Sequence, residues 1–279
     1  MTDGSVNPSA AHRLLSATSI GDGVALACQS ASMPGHGIGH VVGAFDSGFY
    51  VGAAETLFAV GGPNIPAGPI HLVLEAAPPP AMDQAIVRLE PDRLWVDSCT
   101  IKLAHAVCYR PTQPPPRHLR ALAPTLARLD RCDAVPKDVE HVWMAVRLAV
   151  EHADLHAARK LLEGLGEGLT PTGDDVLAGL VLFARWADPL SDVPADVALR
   201  AATSDLSRCF LTWAAAGQSI QPVHDVIDTA SQLVSGVEMA NDSFGDAVKT
   251  VASIGGSSGS AMLAGLGLAA AAWPEWQRE

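Results

Sequence analysis

Hydrophobic positions change their spacing along the chain, and this change divides it into two regions. In the first region, short apolar runs are separated by glycine, proline and aspartate, which is typical of β-strands joined by tight turns. The predicted strands are 24–27, 41–45, 49–51, 70–74, 85–89, 94–97 and 101–107, with a short helix near 8–16 before them. The pattern therefore predicts an N-terminal β-rich domain, residues 1–112, built as a barrel or a sandwich.

The second region follows a proline-rich stretch at 111–116 and carries apolar residues three and four positions apart. This spacing places the apolar side chains on one face of an α-helix. The predicted helices are 118–129, 139–152, 154–163, 176–186, 194–216, 223–240 and 258–273, with Pro274 ending the last. We expect a C-terminal helical domain over residues 117–279, and hence an α+β fold class.

Composition and charge narrow the function classes. The chain has 279 residues, of which 48% are hydrophobic, and a formal net charge of −12. With no basic stripe, a nucleic-acid partner is not expected. The most apolar segment, 261–273, is too short to span a bilayer, so no membrane partner is expected either. Five dispersed cysteines and no N-terminal signal pattern predict a cytoplasmic protein with reduced thiols.

The segment from Gly164 to Gly179 carries the first candidate site. Alternating glycines form a loop that leads into a predicted helix, and a helix N-terminus offers free N–H groups and a positive dipole end. Such a loop suits a phosphate or carboxylate ligand, although the ending of a P-loop is missing. The predicted substrate- or phosphate-binding residues here are Gly166, Gly168, Thr170, Thr172 and Gly173.

Two aspartates, Asp174 and Asp175, fall in the first turn of this helix and are the candidate catalytic residues. Thr170 is the N-cap in one register, with Pro171 at the first helical position. In the other register Thr172 is the N-cap, and Asp175 completes a capping box. Asp174 is then the freer carboxylate, with a role as a base, as an acceptor of a substrate N–H, as a ligand of Mg²⁺ or simply in stabilising the helix. No cofactor is firmly predicted beyond this candidate Mg²⁺ role, and no resident metal site is predicted.

An internal repeat points to a second half of the site. Residues 173–180 align without gaps to residues 259–266, and each copy follows a glycine-bearing loop. One interpretation is that both helix starts converge on one ligand. The other is that two helices with small residues pack closely together, and the two interpretations are compatible. The predicted binding residues of the second copy are Gly256, Ser257, Ser258 and Gly259.

The strings 168–179 and 255–265 resemble the two signature motifs of the oxamate carbamoyltransferase subunit family. The resemblance is strong over these motifs and loose over the first 110 residues. It implies a cytoplasmic protein of allantoin degradation that works with other carbamoyltransferase subunits, or as a homo-oligomer, on carbamoyl phosphate and a small amide-acid such as oxamate. It does not assign catalytic residues.

Three functions remain open from the sequence. The first is a catalytic carbamoyltransferase subunit that binds small anions at glycine-rich helix N-termini. The second is a non-catalytic binding or assembly subunit. The third is another small-anion enzyme, a lyase or a hydrolase.

Overall fold

The computed structural model describes residues 12–53, 56–131 and 135–276, and the chain divides into two compact units after Tyr109. The first unit is a closed β-barrel. Its strands are β1 Arg13–Gly21, β2 Ile38–Phe45, β3 Gly48–Ala53, β4 Thr56–Gly61, β5 His71–Leu74, β6 Ile86–Glu90, β7 Arg93–Val96, β8 Cys99–Lys102 and β9 Val107–Tyr109. The prediction of a β-rich start is confirmed, and of the two predicted architectures the barrel is the one found.

Closure of the barrel depends on β1. The strands follow the order β5-β4-β3-β2-β6-β7-β8-β1, and an antiparallel pairing of β1 with β5 completes the ring. The last strand, β9, runs parallel to β1 over Ser19–Gly21. Alternate residues point inward, as Val87 and Leu89 of β6 do, and this alternation is what the period-two pattern predicts.

Two local predictions in this unit are wrong. Residues 24–27, predicted as a strand, lie in helix α1 (Asp22–Ser30), whose buried residues Gly23, Val24, Ala27 and Cys28 follow a helical spacing. A four-residue apolar run does not distinguish a strand from a buried helix turn. The helix predicted near 8–16 is also wrong from Arg13 onward, where the chain is β1; residues 8–11 lie outside the described residues.

The second unit is helical, as predicted. Its helices are α2 Pro116–Leu126, α3 Trp143–Glu151, α4 Leu155–Leu162, α5 Thr172–Ala187, α6 Val193–Arg200, α7 Asp205–Ala215, α8 Gln221–Val234, α9 Ala240–Ala252 and α10 Ser258–Trp276, with 3₁₀ helices at Ala127–Arg131 and Lys137–Val142. Helices α5 and α10 pack against each other at the centre, and almost every residue of α5 is buried.

The helical unit differs from the prediction in several places. The helix predicted at 194–216 is two helices, because residues 201–204 leave the helical conformation before Ser204 caps α7. Helix α9 was not predicted. Helix α10 continues past Pro274, although this proline removes one backbone hydrogen bond from the helix. Beyond it, the Trp276 indole N–H donates to the Val150 carbonyl at 2.6 Å.

Candidate functional site

The loop before α5 depends on its alternating glycines. Gly164, Gly166 and Gly168 have φ of +72°, +110° and +98°, values that residues with a Cβ rarely adopt. Gly164 directly follows the end of α4, as a C′ glycine does. A Cβ at Gly166 would lie 2.7 Å from the backbone nitrogen of Thr172, so the loop folds back closely over the start of α5.

Helix α5 begins in neither of the two predicted registers. Pro171 is the N-cap, and its carbonyl accepts the N–H groups of Asp174 at 2.9 Å and Asp175 at 3.2 Å. Thr172 is the first helical residue, and its hydroxyl donates to Asp138 Oδ2 at 2.7 Å instead of capping the helix. A carboxylate is a stronger acceptor partner for a hydroxyl than a neutral group, which explains why Thr172 turns away from the cap position.

Asp174 holds the loop together. It is 2% exposed, its Oδ1 accepts the Gly164 N–H at 2.9 Å, and its Oδ2 accepts the Thr203 hydroxyl. Both oxygens therefore have partners in the protein. This is the reverse of the sequence interpretation, in which Asp174 was the freer of the two carboxylates.

Asp175 is the carboxylate that keeps an oxygen atom without a partner. It is 8% exposed, and burial raises its pKa to about 7, helped by the nearby charge of Asp174. Hydrogen bonds from Ser258 and Thr170 act in the opposite direction and lower the pKa, but they do not outweigh burial. Its Oδ2 atom is buried and has no hydrogen-bond partner among the described residues. Buried polar atoms of this kind call for an explanation, and a ligand is one.

The two glycine motifs meet at these helix starts. Thr170 Oγ1 lies 3.1 Å from Ser258 Oγ, and Thr172 Oγ1 lies 3.3 Å from Ser257 Oγ. We call the meeting place of residues 164–175 with residues 255–259 the hydroxyl cradle. Four predicted site residues, from segments about 85 positions apart, thus lie in hydrogen-bond contact.

Further along the same helices the contact is between backbones. A Cβ at Gly179 would overlap the Met262 carbonyl oxygen, and a Cβ at Gly265 would overlap the Val176 carbonyl oxygen. Close packing of two glycine-containing helices, the second interpretation of the repeat, is therefore also present. Because the helices cross here, their N-terminal ends are brought together.

The predicted backbone donors divide into two groups. The Gly173 and Gly259 N–H groups donate to the carbonyls of Leu165 and Ile254, at 2.8 Å and 3.1 Å, and both glycines are tightly packed. Gly168 and Gly256 are exposed, with open space where a Cβ would stand. The second group is the one with room for a ligand.

Two residues of the site were missed from the sequence. Asp138, in the 3₁₀ helix Lys137–Val142, and Thr203, after α6, each bind a motif residue about thirty positions away. Neither lies in a motif or at a periodic position, so no sequence signal marks them.

Three further observations bear on metal, ligand and membrane binding. Within the described ranges, no group of three or more histidine, cysteine, aspartate or glutamate residues is arranged to hold a metal ion. A groove of about 610 Å³ on the barrel is lined by Ile86, Arg88, Glu90, Trp95 and Asp97. No helix in the described part of the chain is both long and apolar enough to cross a membrane.

Comparison with known families agrees with the resemblance seen in the sequence. The family model described as oxamate carbamoyltransferase subunit AllH matches residues 162–270. This segment runs from the end of α4 into α10 and contains both halves of the hydroxyl cradle. No curated protein and no solved structure matches the chain.

Proposed function

We propose that this chain is a carbamoyltransferase subunit that binds carbamoyl phosphate and a small amide-acid such as oxamate at the hydroxyl cradle. The observation that carries the proposal is Asp175, a buried carboxyl with an unpartnered oxygen between two helix starts. The family match over residues 162–270 supports the reaction class.

Anion binding would use the open part of the two loops. Exposed backbone at Gly166, Gly168, Gly256 and Ser257 surrounds the N-terminal ends of α5 and α10. Each helix end carries roughly half a positive charge, and two ends aimed at one place add their effects. Phosphate and carboxylate groups are the ligands that such a place favours.

Asp175 would serve as the general base. The amide nitrogen of the acceptor attacks the carbamoyl carbonyl carbon, a nitrogen–carbon bond forms, and the carbon–oxygen bond to phosphate breaks. The proton lost by the nitrogen passes to the Asp175 carboxylate, and phosphate leaves with the bonding electrons. A base with a pKa of about 7 is well matched to this transfer near neutral pH. Asp174 would act as a positioning residue, because both its oxygens are engaged by the loop and Thr203.

The negative charge of the cradle suggests that a positive charge from outside the two motifs takes part in binding. Asp138, Asp174 and Asp175 all lie beside the proposed anion site, and like charges oppose the binding of a dianion. A basic residue of a partner subunit, or Mg²⁺ brought in with the phosphate, would offset this repulsion. The same observation favours the second candidate function, a binding subunit whose catalytic groups come partly from its partners.

The test is phosphate release from carbamoyl phosphate in the presence of oxamate. The chain is assayed alone, with its partner subunits, and with and without Mg²⁺, and each assay is repeated with Asp175→Asn. Loss of turnover with Asp175→Asn in the assembled enzyme supports the catalytic proposal. Undiminished turnover in that variant assigns catalysis elsewhere and leaves this chain as the binding subunit.

A further inference from the structure

Asp138 stands at the edge of the hydroxyl cradle but outside both glycine motifs. It is exposed, while its partner Thr172 is only 2% exposed, and the two are joined by a 2.7 Å hydrogen bond. A Cβ at Gly166 would lie 3.2 Å from Asp138 Oδ2. The missing side chain at Gly166 therefore leaves space beside this carboxylate.

The hydrogen bond from Thr172 to Asp138 determines which hydroxyl group is the donor in the neighbouring contact with Ser257. A threonine hydroxyl has one proton to donate, and Thr172 gives it to the Asp138 carboxylate. Ser257 Oγ, 3.3 Å from Thr172 Oγ1, must then be the donor in their contact. With its proton directed inward, Ser257 presents only lone pairs outward. Asp138, as a carboxylate, also offers only acceptors.

The rest of the cradle offers hydrogen-bond donors instead of acceptors. The helix ends and the glycine backbone offer N–H donors, which suit an anion. The buried and unpartnered Asp175 Oδ2 is an independent sign that a ligand completes the cradle. A ligand with an anionic group at one end and an N–H₂ group at the other would match both sides.

We propose that Asp138 and Ser257 form an acceptor pair that binds the N–H₂ group of the substrate, which makes Asp138 a specificity-determining residue. The inference rests on the proposed function and adds to it the orientation of the substrate. The phosphate group of carbamoyl phosphate lies against the glycine loops, and its carbamoyl nitrogen lies against Asp138, while the acceptor nitrogen is the one that faces Asp175.

A pair of ligands that differ only at the nitrogen tests this assignment. Acetyl phosphate carries a methyl group where carbamoyl phosphate carries N–H₂. A site that hydrogen-bonds an N–H group discriminates against an analogue that lacks it. We expect the wild-type protein, with its partner subunits, to bind carbamoyl phosphate more tightly than acetyl phosphate, and inorganic phosphate serves as the ligand without either group.

The decisive variant is Asp138→Asn, which keeps the side-chain size and leaves an oxygen to accept from Thr172. We expect it to weaken carbamoyl phosphate binding about 10- to 100-fold relative to acetyl phosphate and inorganic phosphate. The loss of one negative charge beside the anion site acts on all three ligands alike, so the ratio of their affinities is the readout. Ser257→Ala is expected to act in the same direction. Glu140→Gln, an exposed change in the same 3₁₀ helix, is the matched control and should change nothing.

The outcomes separate this inference from the proposed function. Retained preference for carbamoyl phosphate over acetyl phosphate in both Asp138→Asn and Ser257→Ala overturns the assignment of the acceptor pair. An equal loss of all ligands, phosphate included, also overturns it, because Asp138 then acts through the cradle structure. Failure of the wild-type assembly to bind phosphate, carbamoyl phosphate or oxamate defeats the proposed function itself.

Discussion

Helices α5 and α10 meet twice, and the two contacts differ in kind. At the crossing, Gly179 and Gly265 bring backbone against backbone. At the N-terminal ends, Thr170 and Ser258 bring hydroxyl against hydroxyl, beside the buried carboxyl of Asp175. The crossing is a packing contact, and the ends form a polar cradle with an unsatisfied atom.

The difference shows how one repeated sequence pattern serves two purposes. The glycines of the repeat, Gly173 and Gly259 at its start and Gly179 and Gly265 within it, are all tightly packed. The polar groups of the cradle belong to the hydroxyl and acidic residues beside them. Close packing is therefore what positions the polar ends, and the two contacts should respond differently to substitution.

The largest expected effect is at the polar ends. Asp175→Asn removes the proposed base and should lower turnover of the assembled enzyme about 10²- to 10⁴-fold. In the wild type, kcat/KM should rise with pH and level off above about 7, where the Asp175 carboxyl is ionised. Steady-state assays between pH 5 and 9 measure both. Persistence of the same inflection in the variant would assign it to another group.

The next effect is at the crossing. Gly265→Ala places a methyl group against the Val176 carbonyl, and overpacking of this kind costs about 1–3 kcal/mol. Chemical denaturation measures the change in the free energy of unfolding. Gly245→Ala in α9 is the matched control, since open space surrounds that position, and it should stabilise the protein by about 0.4–1 kcal/mol. Equal behaviour of the two variants would contradict the close crossing.

Asp174 should affect stability more than chemistry. Asp174→Ala leaves the Gly164 N–H and the Thr203 hydroxyl without their acceptor, at a cost of about 1–3 kcal/mol in unfolding free energy. Thr203→Val removes one of the two bonds and should cost less. The same denaturation experiment applies, and an Asp174→Ala protein of wild-type stability would remove the loop-holding role.

The smallest effect is expected from Ser258→Ala. The Ser258 hydroxyl favours the ionised form of Asp175 and lowers its pKa, so its loss should raise the pKa and move the kinetic inflection to higher pH. The donor is a single uncharged hydroxyl group, which limits the shift to about one pH unit. Ser260→Ala, two residues along α10, is the control. A shift to lower pH would show that Ser258 does not stabilise the carboxylate.

Local features of the cradle were predictable from the sequence, but the hydrogen-bond partners of its residues were not. The positive-φ glycines, the helix after them and the internal repeat are properties of adjacent residues. The repeat also indicated that the two helix starts could converge, without indicating which hydroxyl groups would be in contact. The sequence predicts Asp174 as the freer carboxylate from the register in which Thr172 is the cap. The helix is capped by Pro171, one residue from either predicted cap, so Asp174 and not Asp175 stands at the third helical position.

The site residues that the sequence did not indicate are those that contact the motifs only through long-range folding. Asp138 and Thr203 reach the cradle through folding of the helical unit, and no periodicity or motif records such contacts. In the barrel, the spacing of apolar residues was enough to predict that the unit consists of strands. The helix α1 did not, because its short apolar run fits a strand as well as a helix.

The most direct test of the anion-binding cradle is a phosphate titration followed by backbone amide chemical shifts. The account predicts that shifts concentrate at Gly168, Gly256 and Ser257, in two loops far apart in the sequence, and that they saturate together with one dissociation constant. Shifts confined to the barrel groove around Arg88 and Trp95, or an absence of saturable shifts in both loops, would contradict it.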